Sequence, residues 1–127
     1  MPGMRFHETV SLRYVPPMDR KELHIPGYNY CGPGTNYWKR KSMGVQPMNS
    51  LDAACMEHDR WTESRGPQLA KTVEQVVFAD RNLRQSALDI LSRTVPGTRY
   101  HFECQAVVLA MTYRISNPGV KTPEITI

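Results

Sequence analysis

The sequence predicts a mainly α-helical domain with a single hydrophobic core. Two stretches, residues 50–64 and 68–93, carry apolar residues at the three- and four-residue spacing of an amphipathic helix. The chain has 127 residues, of which 40% are hydrophobic, which is enough for one modest core. We therefore expect residues 1–127 to form one domain.

The segments before the first long helix are predicted to be irregular. A short alternation at Val10–Tyr14 suggests a strand that Pro16 and Pro17 end. Residues 23–34 are rich in Gly and Pro and predict a loop. Residues 35–46 hold a cluster of aromatic and basic side chains without a clear period, which we interpret as an exposed excursion.

The first long helix should begin near Asn49 or Ser50, which are both favourable N-caps, and should run to about Ser64. Arg65-Gly66-Pro67 then stops it. Helical spacing places several residues on one face. These are Leu51, Ala54, Cys55, His58, Trp61 and Thr62.

A second, longer helix should span roughly Gln68–Arg93, with Asp80 inside its apolar stripe. A carboxylate on the core side of a helix is costly unless it is paired. A third segment, about Phe102–Ser116, is a helix or a buried strand, and its Ala, Leu and Met content favours a helix. The tail from Asn117 is expected to be extended or disordered.

The glycine-rich segment Tyr30–Gly34 has the composition of a loop that can gather backbone carbonyls around one cation. Gly32 and Gly34 adopt positive φ at little cost. The carbonyls of Tyr30, Gly32 and Gly34, with the carboxylate of Asp59, are our candidate ligands for a hard cation such as Ca²⁺. A plain turn is the alternative interpretation.

His58 is the candidate general base for a hydrolytic water. If the two long helices pack antiparallel, Asp80 accepts a hydrogen bond from one ring nitrogen and leaves the other facing a water. The alternatives are a structural histidine and a buried aspartate that is bonded to a backbone amide or a tyrosine.

Three cysteines allow one internal bridge. Cys31 lies in the loop and Cys55 lies one helical turn before His58, so a Cys31–Cys55 bridge would pin the loop to that helix. Two buried thiols are the alternative. Cys104 has no evident partner in the sequence.

These motifs together resemble those of the phospholipase A2 superfamily. Tyr30-Cys31-Gly32-Pro33-Gly34 is similar to its Y-x-G-x-G calcium loop, and His58-Asp59 is similar to its catalytic H-D pair. Asp80 resembles its histidine-orienting aspartate. The resemblance covers about Leu23–Leu91, and the phrase before the loop is most similar to the parvovirus capsid-type and invertebrate branch.

The resemblance implies a phospholipase A2-like fold, with two antiparallel catalytic helices and a calcium loop. It implies calcium-dependent hydrolysis of the sn-2 ester of a glycerophospholipid, with release of a fatty acid and a lysophospholipid. His58 would take a proton from water and Asp80 would orient it. Ca²⁺ and the Gly32 amide would stabilise the oxyanion.

One position departs from the family pattern. The family usually has H-D-x-x-Y, with the tyrosine bonding the orienting aspartate, whereas this chain has Thr62 there. Threonine is too short to reach as far, so Tyr100 or Tyr113 would have to supply a hydroxyl. Otherwise Asp80 is held less well and turnover is low.

This departure motivates an alternative function, a catalytically weak module that binds a phospholipid bilayer. Its contacts would be Trp38, Lys39, Arg40 and Lys41. In either case the bilayer is met peripherally, because the longest apolar run, Ala106–Met111, is too short to span it.

The net charge of +4 also raises nucleic acid as a partner. We do not expect it, because the basic residues are scattered and no recognition motif is present. The N-terminal residues carry Arg5, His7 and Glu8 without an apolar run, so we expect no secretory signal. The resemblance implies a virion or a secreted or endosomal location.

Overall fold

The structure, a computed structural model, describes residues 14–63 and 72–118. Over these residues the fold is mainly helical, as the sequence predicts. Four helices follow one another along the chain: α1 (Tyr37–Ser42), α2 (Ser50–Thr62), α3 (Val73–Leu91) and α4 (Arg99–Ser116). Residues 10–13 of the predicted Val10–Tyr14 strand lie outside the described residues, and Tyr14 is irregular. The stop at Arg65–Pro67, the expected start of the second long helix at Gln68 and the tail from residue 119 also lie outside them.

Side-chain caps define where the long helices begin. Asn49 is the N-cap of α2, and its side chain accepts from the backbone N–H of Asp52 at 2.9 Å. Thr72 and Gln75 form a reciprocal capping box at the start of α3. Thr98 caps α4 by accepting from the backbone N–H of His101. Each cap satisfies backbone donors that have no partner within the helix.

Three helices and part of the preceding loop enclose the core. α3 packs along α4, and α2 packs on α3. The loop before α1 contributes buried aromatic rings, and the hydroxyl of Tyr28 donates to Glu103 of α4 at 2.7 Å. The core-cluster side chains that α2, α3 and α4 contribute are Leu51, Cys55, Leu83, Ala87, Ile90, Cys104, Val107 and Met111. Cys104 is a free, buried thiol.

Residues 37–42 form a helix, and the expectation of an exposed excursion there is wrong. Tyr37 and Arg40 lie on the buried side of α1. The guanidinium of Arg40 is fully buried. Glu22 compensates its charge by accepting hydrogen bonds through both carboxylate oxygens, at 2.9 and 3.0 Å. The pairing partner lies 18 residues earlier in the sequence, which is why the local pattern of α1 did not reveal it.

None of the helices in residues 14–63 and 72–118 has the length and apolarity that spanning a membrane requires.

Candidate active site

His58 and Asp80 form a buried pair between α2 and α3. The Nε2 atom of His58 lies 2.6 Å from Oδ1 of Asp80, and both side chains are almost fully buried. Because a carboxylate only accepts, the proton of this hydrogen bond belongs to Nε2. The neutral imidazole then keeps a lone pair on Nδ1, which is the tautomer that a general base needs.

Asp59 adds a second carboxylate on the other side of the imidazole. Its Oδ1 atom is 3.8 Å from Nδ1 of His58, which leaves a gap beyond a direct hydrogen bond. Burial by itself lowers the pKa of His58, but the carboxylates of Asp59 and Asp80 outweigh it and raise the pKa above its ordinary value. The proton-accepting nitrogen therefore has the carboxyl group of Asp59 as a neighbour.

The chemistry of Asp59 fits a cation ligand. Only 16% of its side chain is exposed, and within the described residues its Oδ2 atom is buried without a hydrogen-bond partner. Burial is the main reason that the pKa of Asp59 rises to about 7. A buried carboxylate oxygen without a donor is the kind of ligand that a hard cation satisfies.

The Tyr30–Gly34 loop runs alongside residues 21–25, and its carbonyls alternate in direction. Cys31 O accepts from Ile25 N at 2.8 Å, and Pro33 O accepts from Leu23 N at 3.0 Å. The carbonyls of Tyr30 and Gly32, which alternate with these two, instead lie 3.3 and 2.8 Å from the hydroxyl of Thr35. Two of the three predicted carbonyl ligands thus face the hydroxyl of Thr35, which donates to them.

Both loop glycines lie against the backbone of residues 21–25, and Gly34 also has positive φ. Gly34 has φ +74°, and a Cβ atom there would lie 1.8 Å from the carbonyl oxygen of Lys21. Gly32 does not have positive φ, contrary to the sequence expectation, but a Cβ atom on it would lie 1.8 Å from the carbonyl oxygen of Leu23. No side chain fits at either contact, so the loop keeps its close approach to residues 21–25 only with glycine.

The loop is attached to α2 at two points. Cys31 and Cys55 form a disulfide, the bridge that the sequence left open. The second attachment is Asp52, a fully buried residue in the first turn of α2 that our sequence analysis did not assign to the site. Its carboxylate accepts from backbone N–H groups of both the loop and the segment before α2. These donors are Asn29, Tyr30, Cys31 and Met48.

Arg114 is the other site residue that sequence reasoning missed. Its Nε atom donates to Oδ2 of Asp80 at 3.1 Å from the last turn of α4. The sequence leaves open whether Tyr100 or Tyr113 bonds this aspartate, and among the described residues the donors to Asp80 are His58 and Arg114. The hydroxyl of Thr62 donates to the backbone oxygen of His58 at 3.0 Å. An arginine 34 residues from Asp80 leaves no local signal in the sequence.

A small groove between α2 and α3 reaches the imidazole. It has a volume of about 90 Å³, which is room for a few water molecules. Its lining residues are Ala54, Glu57, His58, Trp61, Ala79, Asn82, Leu83 and Ser86.

The predicted membrane-binding residues divide into buried and exposed ones. Arg40 is fully buried against Glu22, so the expectation that it contacts a bilayer is wrong. Trp38 is half-buried, and its ring makes an edge contact with Tyr37 at 4.8 Å between centroids. Lys39 and Lys41 are exposed. Helical periodicity explains the split, because adjacent residues of α1 point in different directions.

Comparisons with known proteins place the chain in a family. The family model described as "Phospholipase A2-like domain" matches residues 21–89. The chain is similar to the capsid protein VP1 of Junonia coenia densovirus (isolate pBRJ/1990) and to that of Galleria mellonella densovirus, with 28% identity over 114 residues in each case. The match covers 85% of this chain and 13% of each relative, so the chain spans a small fraction of their length. No solved structure matches the chain. The family model covers more than half of the chain and includes the loop, His58 and Asp80, and this protein belongs to the phospholipase A2-like domain family.

Proposed function

We propose that this domain hydrolyses the sn-2 ester of glycerophospholipids at a membrane surface in a calcium-dependent reaction. The observation that carries the proposal is the buried His58–Asp80 pair beside Asp59, because it supplies a histidine of defined tautomer next to a carboxylate that lacks a donor. Family membership supports the choice of a phospholipid ester as the substrate.

In the proposed reaction, Nδ1 of His58 takes a proton from the attacking water. The hydrogen bond from Nε2–H to Asp80 holds the ring in place and stabilises the imidazolium that forms. Water reaches the imidazole through the groove between α2 and α3. The proton then returns from His58 to the leaving lysophospholipid oxygen.

The residues that would hold Ca²⁺ are the carbonyls of Tyr30, Gly32 and Gly34 and the carboxylate of Asp59. The buried Oδ2 atom of Asp59, which has no hydrogen-bond partner among the described residues, supports this assignment. When bound, the ion supplies positive charge for the ester carbonyl and the developing oxyanion. The backbone N–H of Gly32 is the proposed second donor to that oxyanion.

The relatives suggest a biological setting for this chemistry. Both are viral capsid proteins. We therefore propose that the domain acts from a virion and perturbs a host bilayer by releasing fatty acid and lysophospholipid.

A vesicle assay tests the proposal. The purified domain is added to vesicles of phosphatidylcholine and phosphatidylglycerol whose lipids carry a labelled sn-2 chain. The assay is run once with calcium and once with a chelator. We expect labelled fatty acid to be released only with calcium. Vesicle binding without release would contradict the enzymatic proposal and favour the membrane-binding module.

Substitutions at two separate histidines, His58 and His101, provide a test variant and its control. His58→Gln keeps a donor for Asp80 but cannot accept a proton, so it should lower turnover by on the order of 10²-fold or more. His101→Gln is the control, since this histidine is half-buried near the start of α4 and contacts Thr94 there. Near-normal turnover in His58→Gln would exclude His58 as the base.

A further inference from the structure

The two carboxylate oxygens of Asp80 are held by two different helices. Oδ1 lies 2.6 Å from Nε2 of His58 on α2, and Oδ2 accepts from Nε of Arg114 on α4 at 3.1 Å. Only 2% of the Asp80 side chain is exposed, against 19% for Arg114. A carboxylate buried this deeply requires a compensating charge and hydrogen bonds. Arg114 supplies both.

The packing of α3 on α4 brings Arg114 to this oxygen. Arg84, one turn after Asp80 on α3, donates to Thr112, which lies two residues before Arg114 on α4. The two helices are therefore antiparallel, and the end of α4 lies beside Asp80. The last turn of a helix also favours a cation, because unpaired carbonyls there carry partial negative charge.

The chemistry of arginine suits a restraint on orientation. The guanidinium is planar and permanently charged, so a hydrogen bond from Nε defines the direction of the carboxylate as well as its position. With Oδ2 held by Arg114, Oδ1 is directed toward His58. The nearest hydroxyl on the same helix as His58, that of Thr62, is used within α2.

We propose that Arg114 is a positioning residue for the hydrolysis, acting through Asp80 to hold the imidazole of His58. This inference rests on the proposed function for its kinetic consequence, but the positioning itself is independent of activity. Arg114 donates to the Oδ2 atom of Asp80, which the Thr62 hydroxyl on α2 does not bind. The proposal therefore predicts that this site is competent despite Thr62.

Kinetics on a soluble short-chain phospholipid provide the first test. Arg114→Gln should lower kcat by roughly 10–100-fold, as is usual for a residue that orients a catalytic group, with KM changed by less than about twofold. Arg84→Gln is the matched control, because Arg84 bonds across the same α3–α4 interface without contacting Asp80. Its kcat should stay within about twofold of the wild type.

A second-site variant separates positioning from general stability. In the Arg114→Gln background, Thr62→Tyr places a phenol one turn after His58, where its hydroxyl can donate to the released oxygen of Asp80. We expect the double variant to have a kcat at least threefold higher than that of Arg114→Gln. In the wild type, where Oδ2 is already engaged, the same change should alter kcat by less than about twofold.

Nuclear magnetic resonance of the imidazole tests the inference without any turnover. At a pH where the ring is neutral, ¹⁵N shifts should show His58 protonated at Nε2 in the wild type and in Arg84→Gln. In Arg114→Gln the tautomers should become mixed. If the wild type hydrolyses nothing, the proposed function fails, and this measurement still decides the role of Arg114.

The proposal is overturned if folded Arg114→Gln keeps the wild-type kcat and a single Nε2-protonated tautomer. It is also overturned if the loss of kcat equals the unfolded fraction measured by thermal melting. Arg114→Lys covers the case in which the glutamine variant does not fold, since it keeps the charge while moving the donor. We expect it to fold, with a mixed tautomer and a kcat below that of the wild type, and wild-type values of both would contradict the proposal.

Discussion

The backbone N–H of Tyr30 donates a 2.7 Å hydrogen bond to Oδ1 of Asp52, across 22 residues of sequence. This contact joins the proposed calcium loop to the first turn of the helix that carries His58. The neighbouring amides of Asn29 and Cys31 bind the same carboxylate. The position of the loop relative to α2 is thus set by one buried side chain together with the Cys31–Cys55 disulfide.

Asp52→Asn should destabilise the fold and weaken calcium binding together. An asparagine has one acceptor oxygen, so some of the four backbone N–H groups would be buried without a partner. Each such donor costs roughly 1–3 kcal/mol. We expect a loss of about 3 kcal/mol in the free energy of unfolding, measured by urea titration.

Asp89→Asn is the control for this variant, because Asp89 is an exposed residue of α3 that accepts from Gln85. Its unfolding free energy should change by less than about 0.5 kcal/mol. Equal stability of the two variants would show that Asp52 does not hold the loop.

Glu22→Gln should destabilise the protein and change its response to acid. Burial by itself raises the pKa of Glu22, but hydrogen bonds from Arg40 and from the backbone N–H groups of Asn36 and Met18 outweigh it and lower the pKa to about 2. The ionised form is therefore favoured by folding, and its contribution is lost as the pH falls from about 4.5 to about 2. The variant also leaves the buried Arg40 without its only charged hydrogen-bond partner among the described residues, at a cost of about 3–5 kcal/mol.

Urea midpoints at pH 6, 4 and 3 test this prediction. The wild type should lose stability between pH 4 and 3 more steeply than Glu22→Gln. Glu57→Gln, at an exposed position of α2, should follow the wild type. Parallel pH curves for the wild type and Glu22→Gln would refute the assignment of this acid dependence to Glu22.

Asp59→Asn should remove the stabilisation that calcium gives to the protein. A ligand that binds only the folded state stabilises it by RT ln(1 + c/Kd) at free ligand concentration c, so the melting temperature rises with ligand concentration. Sites made mostly of carbonyls and one carboxylate depend strongly on the charge of that carboxylate. Thermal melting should therefore show a calcium-dependent rise in the wild type and in Glu57→Gln, and none in Asp59→Asn. A rise of the same size in Asp59→Asn would remove this residue from the proposed ligands.

Replacing both Lys39 and Lys41 by glutamine should weaken adsorption to anionic vesicles. Each basic residue near such a surface contributes roughly 1 kcal/mol, so we expect about a 30-fold loss in vesicle affinity at low salt. Hydrolysis of a soluble short-chain substrate should be unchanged. The control is the pair Arg81→Gln and Arg93→Gln, two exposed basic positions of or just after α3. An equal loss in the control would point to the net charge of the domain rather than to α1.

The sequence by itself determined the mainly helical class and the resemblance to the phospholipase A2-like family. The first long helix was expected from Asn49 or Ser50 to about Ser64, and α2 runs from Ser50 to Thr62. The preference for a helix over a strand near residues 102–116 is also confirmed by α4. These predictions succeed because helical periodicity and capping are local properties of the chain.

The placement of Asp80 was also readable from the sequence. A carboxylate within an apolar stripe must be buried, and it must therefore be paired. The imidazole of His58 was the partner inferred, and the two side chains are in contact.

The tertiary structure alone decided which charged residues support the site. Arg40, Asp52 and Arg114 look like ordinary surface charges in the sequence, yet each is bound to groups between 4 and 34 residues away. A local pattern reports which face of an element is apolar, but not which distant charge will neutralise a polar group on that face. That choice depends on how the elements pack. For Asp80 it was made by the antiparallel packing of α4 on α3, which brings Arg114 to an oxygen for which the sequence offered only candidate tyrosines.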